Sequence, residues 1–255
     1  MTTVDTASSE QSFKDHFSGH SRSYAEFRPT YPESLFGFLA DCCARRQLAW
    51  DCATGNGQAA WALTQYFAQV IGTDASEAQI RSAKSKPGIE FHVTRAEESG
   101  LDDNSIDLIT VAQALHWFDI ASFFDEAKRV LAPGGLLAVW SYQRCFVGPD
   151  CDLLINELYA DILHSYWPPE RKLVEEGYQS IELPMPSITP PEFAMEIDWR
   201  AEEMLGYLRT WSASRRYLMD KGSDPVALIE GRLLEAWGAG TRQASWPLNL
   251  KIGRA

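Results

Sequence analysis

The chain has 255 residues, 45% of them hydrophobic, enough to bury a core without staples. Its formal charge of -12 and pI near 4.9 argue against the basic footprint that non-specific nucleic-acid binding needs. Five cysteines without a Cys-x-x-Cys spacing argue against a disulfide scaffold or zinc site, and no apolar run approaches the ~20 residues of a membrane-spanning helix.

Residues 1–12 are polar, lack the basic start and apolar run of a signal peptide, and are expected to form a flexible tail on a cytoplasmic protein. The expected partner is a small molecule rather than nucleic acid or membrane, and the expected state a monomer or homodimer. In Arg28-Pro29-Thr30-Tyr31-Pro32 each proline disfavours helix for the residue before it, so an extended connection is predicted. An amphipathic helix then opens at Pro32-Glu33-Ser34, with Leu35, Phe36, Leu39 and Cys43 on its apolar side.

From there strand and helix alternate. Strands are predicted at residues 48–53, 69–73, 89–93, 106–112 and 136–142, with helices at 58–67, from a Ser76 cap to about 85, and at 120–131. Pro133-Gly134-Gly135 reads as a turn before the fifth strand. This alternation predicts a doubly wound α/β domain whose mostly parallel sheet is covered on both faces. Beyond Ser141 the beat breaks: helices are predicted at 151–166, 169–176 and 202–219, with proline-rich extended pieces over 181–198. Asp224-Pro225 caps a further helix ending at Trp237, and 246–253 alternates like a final antiparallel strand. The expected organisation is one domain over 13–255, its core at about 33–145 and 240–255 and a substrate-covering insertion at about 146–239.

The densest chemical signal is Asp51-Cys52-Ala53-Thr54-Gly55-Asn56-Gly57 between the first strand and its helix. A Gly-x-Gly turn there lets a ligand approach the backbone closely. Asp74, ending the second strand, is spaced to accept hydrogen bonds from ribose hydroxyls. These features fit any nucleoside-type ligand, and Gly55-x-Gly57-x-x-Ala60 even satisfies the dinucleotide fingerprint. Asp51 separates the readings, because a carboxylate beside the turn repels a pyrophosphate and attracts a ligand bearing an ammonium or sulfonium group. The alternative for Asp51 is a strand-ending cap on the turn.

In order over roughly residues 30–142, Asp51 through Gly57, Asp74-Ala75-Ser76, Arg95-Ala96-Glu97 and Arg129-Val130-Leu131-Ala132-Pro133-Gly134-Gly135 resemble the successive motifs of class I S-adenosylmethionine-dependent methyltransferases, type 11-like. Tyr24 through Pro32, Gln113-Ala114-Leu115-His116-Trp117-Phe118-Asp119 and Arg209-Thr210-Trp211-Ser212 are similar to a subgroup containing trans-aconitate methyltransferases. The resemblance implies a seven-stranded Rossmann-like sheet, with the helical insertion before the last strand, and S-adenosylmethionine as cofactor. It places Asp51, Ala53, Thr54, Gly55 and Gly57 at the methionine moiety and Asp74 at the ribose. Ala75, Gln79, Ala96 and Glu97 fall around the adenine, and Gln113, Ala114 and His116 near the sulfonium, with Tyr24 and Arg28 folded over the cofactor.

Methyl transfer needs positioning above all, and a general base only for acceptors that arrive protonated. His116 is the candidate base, the alternative being a pocket-shaping residue. Trp117, Tyr31, Arg144 and Trp211 are the candidate substrate contacts, each with plain packing or surface placement as its alternative. Arg28 and Arg144 are also candidate carboxylate partners. His16, His20, His92 and His164 form no metal-like pattern. The function expected is methyl transfer to an oxygen or nitrogen of a small molecule, a carboxylate among the acceptors. A non-catalytic cofactor-binding protein and a nicotinamide-dependent reductase are the alternatives.

Overall fold

The computed structural model describes residues 27–255, so the expected tail and Tyr24 lie outside the described residues. Helix α1 (Glu33–Cys42) leads into β1 (Leu48–Cys52), α2 (Gln58–Leu63), β2 (Gln69–Asp74), α3 (Glu77–Ser82) and β3 (Ile89–Val93). Next come β4 (Ile106–Ala112), a single 3-10 turn (Leu115–Trp117), α4 (Ile120–Val130) and β5 (Leu131–Tyr142). The spatial order β3-β2-β1-β4-β5 is parallel throughout, reversing direction in the order on either side of β1.

Period-two alternation explains how both faces are covered. Trp50, Ile109, Val111, Leu137 and Val139 point to one side, where they meet Phe123, Ala127 and Val130 of α4. Their neighbours Ala49, Leu108, Leu136, Ala138 and Trp140 point to the other, onto Leu35, Phe36 and Leu39 of α1 and Ala59, Ala60 and Leu63 of α2. β4 has no polar face to spare: six of its seven residues are buried, as a central strand between two helical layers requires.

Beyond β5 run α5 (Pro149–Asn156), a π-helical turn (Glu157–Ile162), a 3-10 turn (His164–Tyr166) and α6 (Arg171–Glu175). They are followed by β6 (Ser187–Ile188), β7 (Ala194–Trp199), α7 (Ala201–Arg209), α8 (Ser212–Lys221), α9 (Ala227–Trp237) and β8 (Arg242–Arg254). β8 runs antiparallel to β5 from Leu248 to Arg254, and its earlier half, Arg242 to Pro247, pairs with β7. Among the described residues the sheet therefore has eight strands, where seven were expected. The outer partner of β8 is split into β6 and β7 around Pro190-Pro191, which have no N–H to give to a ladder.

Three local expectations are corrected. The helix expected over 202–219 is two helices, because Trp211 adopts an extended backbone and turns into an aromatic core beside Tyr159, Trp167 and Tyr207. The helix expected over 151–166 gives way after Asn156 to the π and 3-10 turns. Pro133-Gly134-Gly135 lies inside β5 as an irregularity: Ile106 pairs with Leu131, and Leu108 already pairs with Leu136. Gly134 takes a φ of +80°, and a Cβ on Gly135 would sit 2.9 Å from the carbonyl oxygens of both Ala132 and Ile106.

Those two oxygens belong to backbone and yield little. Gly135→Ala should cost about 1–3 kcal/mol in urea unfolding, the scale of overpacking. An unchanged midpoint would show that the β4–β5 bulge opens freely.

Candidate functional site

The carboxyl ends of β1, β2, β3 and β4 meet at one edge of the sheet, where a doubly wound fold forms its crevice. β1 leaves the sheet through Ala53 and Gly55, both left-handed with φ of +55° and +58°, and Gly57 at +87° hands the chain to α2. Alanine tolerates such a φ at a cost of about 1–2 kcal/mol, so the surroundings must hold the turn. A Cβ on Gly57 would lie 2.8 Å from the Phe91 ring, which makes glycine there a packing requirement too. Gly55 differs: its missing Cβ would meet only Gln79 Oε1, at 4.0 Å, so the backbone is open on that side.

Asp51 is the brace. It is 1% exposed, and its Oδ2 accepts from the Thr54 hydroxyl at 2.5 Å and from the Ala60 N–H at 3.0 Å. Oδ1 accepts from the Thr110 hydroxyl of β4 at 2.7 Å. The carboxylate thus joins β1, α2 and β4 from behind the turn. These contacts are the ones the capping alternative for Asp51 describes. Burial pushes its pKa up to about 6 against the pull of those three donors, and nearby Asp74 adds to the rise.

Asp74 stands on the open side. Its Oδ2 accepts from the Gly55 N–H at 2.9 Å, and its Oδ1 from the Ser76 N–H at 2.8 Å. Ser76 in turn caps α3 through Gln79, with Ala75 half-buried between them. After β3, Ala96 is buried in the core and Glu97 accepts from the Asp119 N–H at 2.9 Å, tying that loop to the start of α4.

At the end of β4, Gln113 has a φ of +56° and is stitched to β5 three times. Its N–H donates to the Trp140 carbonyl at 2.8 Å, its Nε2 to the Tyr142 carbonyl at 3.0 Å, and its Oε1 accepts from the Tyr142 N–H at 2.8 Å. The Gln113 side-chain amide is thereby held against the β5 backbone. Ala114 is buried, and His116 follows on the 3-10 turn. The imidazole Nδ1 shares a hydrogen bond with the Tyr178 hydroxyl at 2.8 Å, and its ring lies 4.6 Å from that of Trp117. Burial, with the positive charge of Arg171 in support, lowers the His116 pKa to about 3, so the ring is neutral at ordinary pH. A base so weak is a poor proton acceptor.

Of the remaining candidates, Arg28 donates to the Tyr142 hydroxyl at 2.8 Å and lies over the Tyr207 ring, joining the first described residues to β5 and α7. Tyr31 packs edge-on against Trp140 and Phe36. Arg144 is exposed, bonded to Asn156 and placed over the Tyr159 ring at 5.3 Å. Trp211 is 5% exposed within the insertion's aromatic core, which is its packing alternative. Three insertion residues linked to His116 directly or through one another went unsingled in sequence: Tyr178, Arg171 and Tyr159. Tyr178 is fully buried with a φ of +57°, a conformation a sequence gives no warning of outside glycine. Among the described residues no cluster of His, Cys, Asp or Glu could hold a metal, and no helix is long and apolar enough to cross a membrane.

Comparison with known proteins bears on what this edge binds. The family described as "Methyltransferase domain" matches residues 50–139, the stretch from the brace to β5. A Dictyostelium discoideum protein, provisionally named a methyltransferase, is 34% identical over 229 residues, 88% of this chain and 87% of its own. A Saccharomyces cerevisiae protein, provisionally named an S-adenosylmethionine-dependent methyltransferase, is 26% identical over 80% of this chain and 83% of its own. A solved Anaeromyxobacter dehalogenans structure, provisionally described as a type II methyltransferase, superposes with a TM-score of 0.84 at 39% identity, covering 89% of this chain and 97% of that one.

Asp51 binds its proton more tightly folded than unfolded, so its contribution to stability is greatest in acid and is lost as the pH rises from about 4 to about 6. Asp51→Asn removes that titration. Between about pH 4.5 and pH 7 the variant should gain about 2 kcal/mol relative to wild type in urea unfolding. A pH-independent difference between the two proteins would mean the carboxylate titrates normally.

Proposed function

We propose, from the premise that this chain belongs to the methyltransferase family and is an S-adenosylmethionine-dependent methyltransferase, that it methylates an oxygen or nitrogen of a small molecule, a carboxylate oxygen among its acceptors. Kinship with the subgroup containing trans-aconitate methyltransferases is part of the same proposal.

The observation that carries the reading is the pairing of an open backbone at Gly55 with the Asp74 carboxylate bonded to it, while a second carboxylate, Asp51, braces the turn from behind. Two acidic groups at one glycine turn are hostile to a pyrophosphate and favourable to a cation. The donor chemistry fits a nucleoside that carries positive charge: Asp74 accepts from ribose hydroxyls, and the turn from Ala53 to Gly57 lets the amino-acid end lie against backbone. Ala75, Gln79, Ala96 and Glu97 border the adenine, and Gln113 and Ala114 set the floor below the reacting end. When bound, S-adenosylmethionine supplies a methyl group made electrophilic by its sulfonium.

What the chain adds is position and exclusion of water. Gln113 locks the end of β4 to β5, so the floor cannot drift while an acceptor is aligned. His116, neutral and held by Tyr178, presents its Nε2 as a fixed donor or acceptor rather than as a strong base. That arrangement suits acceptors already deprotonated at neutral pH, carboxylates foremost. Trp117 offers an aromatic face beside it.

Calorimetric titration with S-adenosylmethionine, S-adenosylhomocysteine and NADH tests the cofactor assignment: saturable binding of the first two alone is expected. Asp74→Ala should weaken that binding by about 1.5–3 kcal/mol, and unchanged affinity would remove Asp74 from the ribose site. NADH binding without the others would return the reductase alternative. His116→Asn should slow turnover by less than about a hundredfold and leave the pH profile unchanged, whereas a larger loss together with the disappearance of a basic limb would make His116 the general base.

A further inference from the structure

Arg171 is used by nothing described so far. Its guanidinium lies over the Trp167 ring at 4.9 Å and the Tyr159 ring at 5.7 Å, half-buried at the start of α6. Among the described residues the only hydrogen bond of its side chain is from Nε to the Tyr159 hydroxyl at 3.1 Å, which leaves both terminal nitrogens uncommitted. Glu175, one helical turn along, is the partner that i,i+4 geometry offers an arginine. It is instead bonded by the Tyr159 hydroxyl, and no ion pair joins it to Arg171. The charge is kept next to the reaction edge, where it is felt at both His116 and Tyr178.

The Trp167 and Tyr159 rings, 4.6 Å apart, flank the guanidinium from one side and leave the edge formed by its two terminal nitrogens to a partner. A planar, two-oxygen anion is the group that meets such an edge with two parallel hydrogen bonds. We infer that Arg171, framed by Trp167 and Tyr159, is a substrate-anchoring residue that grips a carboxylate of the molecule to be methylated. The inference rests on the methyltransferase reading and adds to it a residue that sets specificity. Because the cofactor also carries a carboxylate, the source of the bound group is what the experiment has to separate.

Binding of succinate, benzoate and cinnamate, each beside its primary amide, is measured by ligand-observed NMR on the full chain saturated with S-adenosylhomocysteine. Wild type, Arg171→Gln and Arg171→Lys are compared, with thermal melting confirming that each is folded. Wild type should bind at least one acid and ignore its amide. Arg171→Gln should lose about ten- to a hundredfold in acid affinity while binding S-adenosylhomocysteine as before, and Arg171→Lys should fall between, keeping the charge without the fork. Acids and amides bound alike, no acid bound, or an acid affinity indifferent to Arg171→Gln would overturn the assignment. So would a matching loss of S-adenosylhomocysteine affinity in Arg171→Gln, which would give the guanidinium to the cofactor. If wild type binds no S-adenosylhomocysteine but still discriminates acid from amide through Arg171, the anion site stands and the methyl-transfer reading falls.

Discussion

A carboxylate with almost no access to water, Asp51, organises this protein's working edge. A buried charge is tolerable only when its lone pairs are taken, and here three donors from three elements take them: Thr54 in the turn, the Ala60 N–H in α2 and Thr110 in β4. Satisfying one charge therefore sets the spacing of the first strand, the first crossover helix and the central strand. The left-handed backbone of Ala53 and Gly55 follows from the same arrangement, because the chain must turn sharply to bring Thr54 and Ala60 back onto Asp51. Asp74 is in turn positioned by the Gly55 N–H that this turn exposes.

The other half of the edge comes from elements far apart in the chain. Gln113 clamps β4 to β5, and Tyr178, from the insertion, reaches back to His116. Burial then lowers the basicity of His116 and keeps its ring neutral at ordinary pH. Arg28 closes a third side through Tyr142 and Tyr207. Tyr178 joins insertion to core directly and Arg28 bridges the two, while the Gln113 clamp lies within the core.

The parallel half of the fold was legible because its signals are local. β3 and β4 run over 89–93 and 106–112 as their hydrophobic runs predict, and Ser76 caps α3 where a serine before a helical pattern should. The place of Asp74 beside the glycine turn was legible for the same reason: a strand-ending acid after such a turn needs only spacing to be recognised. The direction in which Asp51 points was not, because it depends on Thr110, 59 positions away. Arg171, Tyr178 and Tyr159 escaped notice because nothing in their own neighbourhoods marks them; their meaning is conferred by His116 and by one another across the fold. Trp211 misled in the opposite sense, its helical spacing concealing a break forced by its burial among other rings.

One strand belongs to both cores. β8 carries Trp246 and Ala244 into the aromatic core of the insertion and Ile252 into the core beneath α1, on a continuous backbone bonded to β7 at one end and β5 at the other. An insertion attached only through flexible linkers melts or swings by itself. One that shares a thirteen-residue strand with the sheet has to lose part of that sheet's ladder in order to leave. The insertion is thereby joined to the sheet through one shared strand, and the two are coupled in a single cooperative unit.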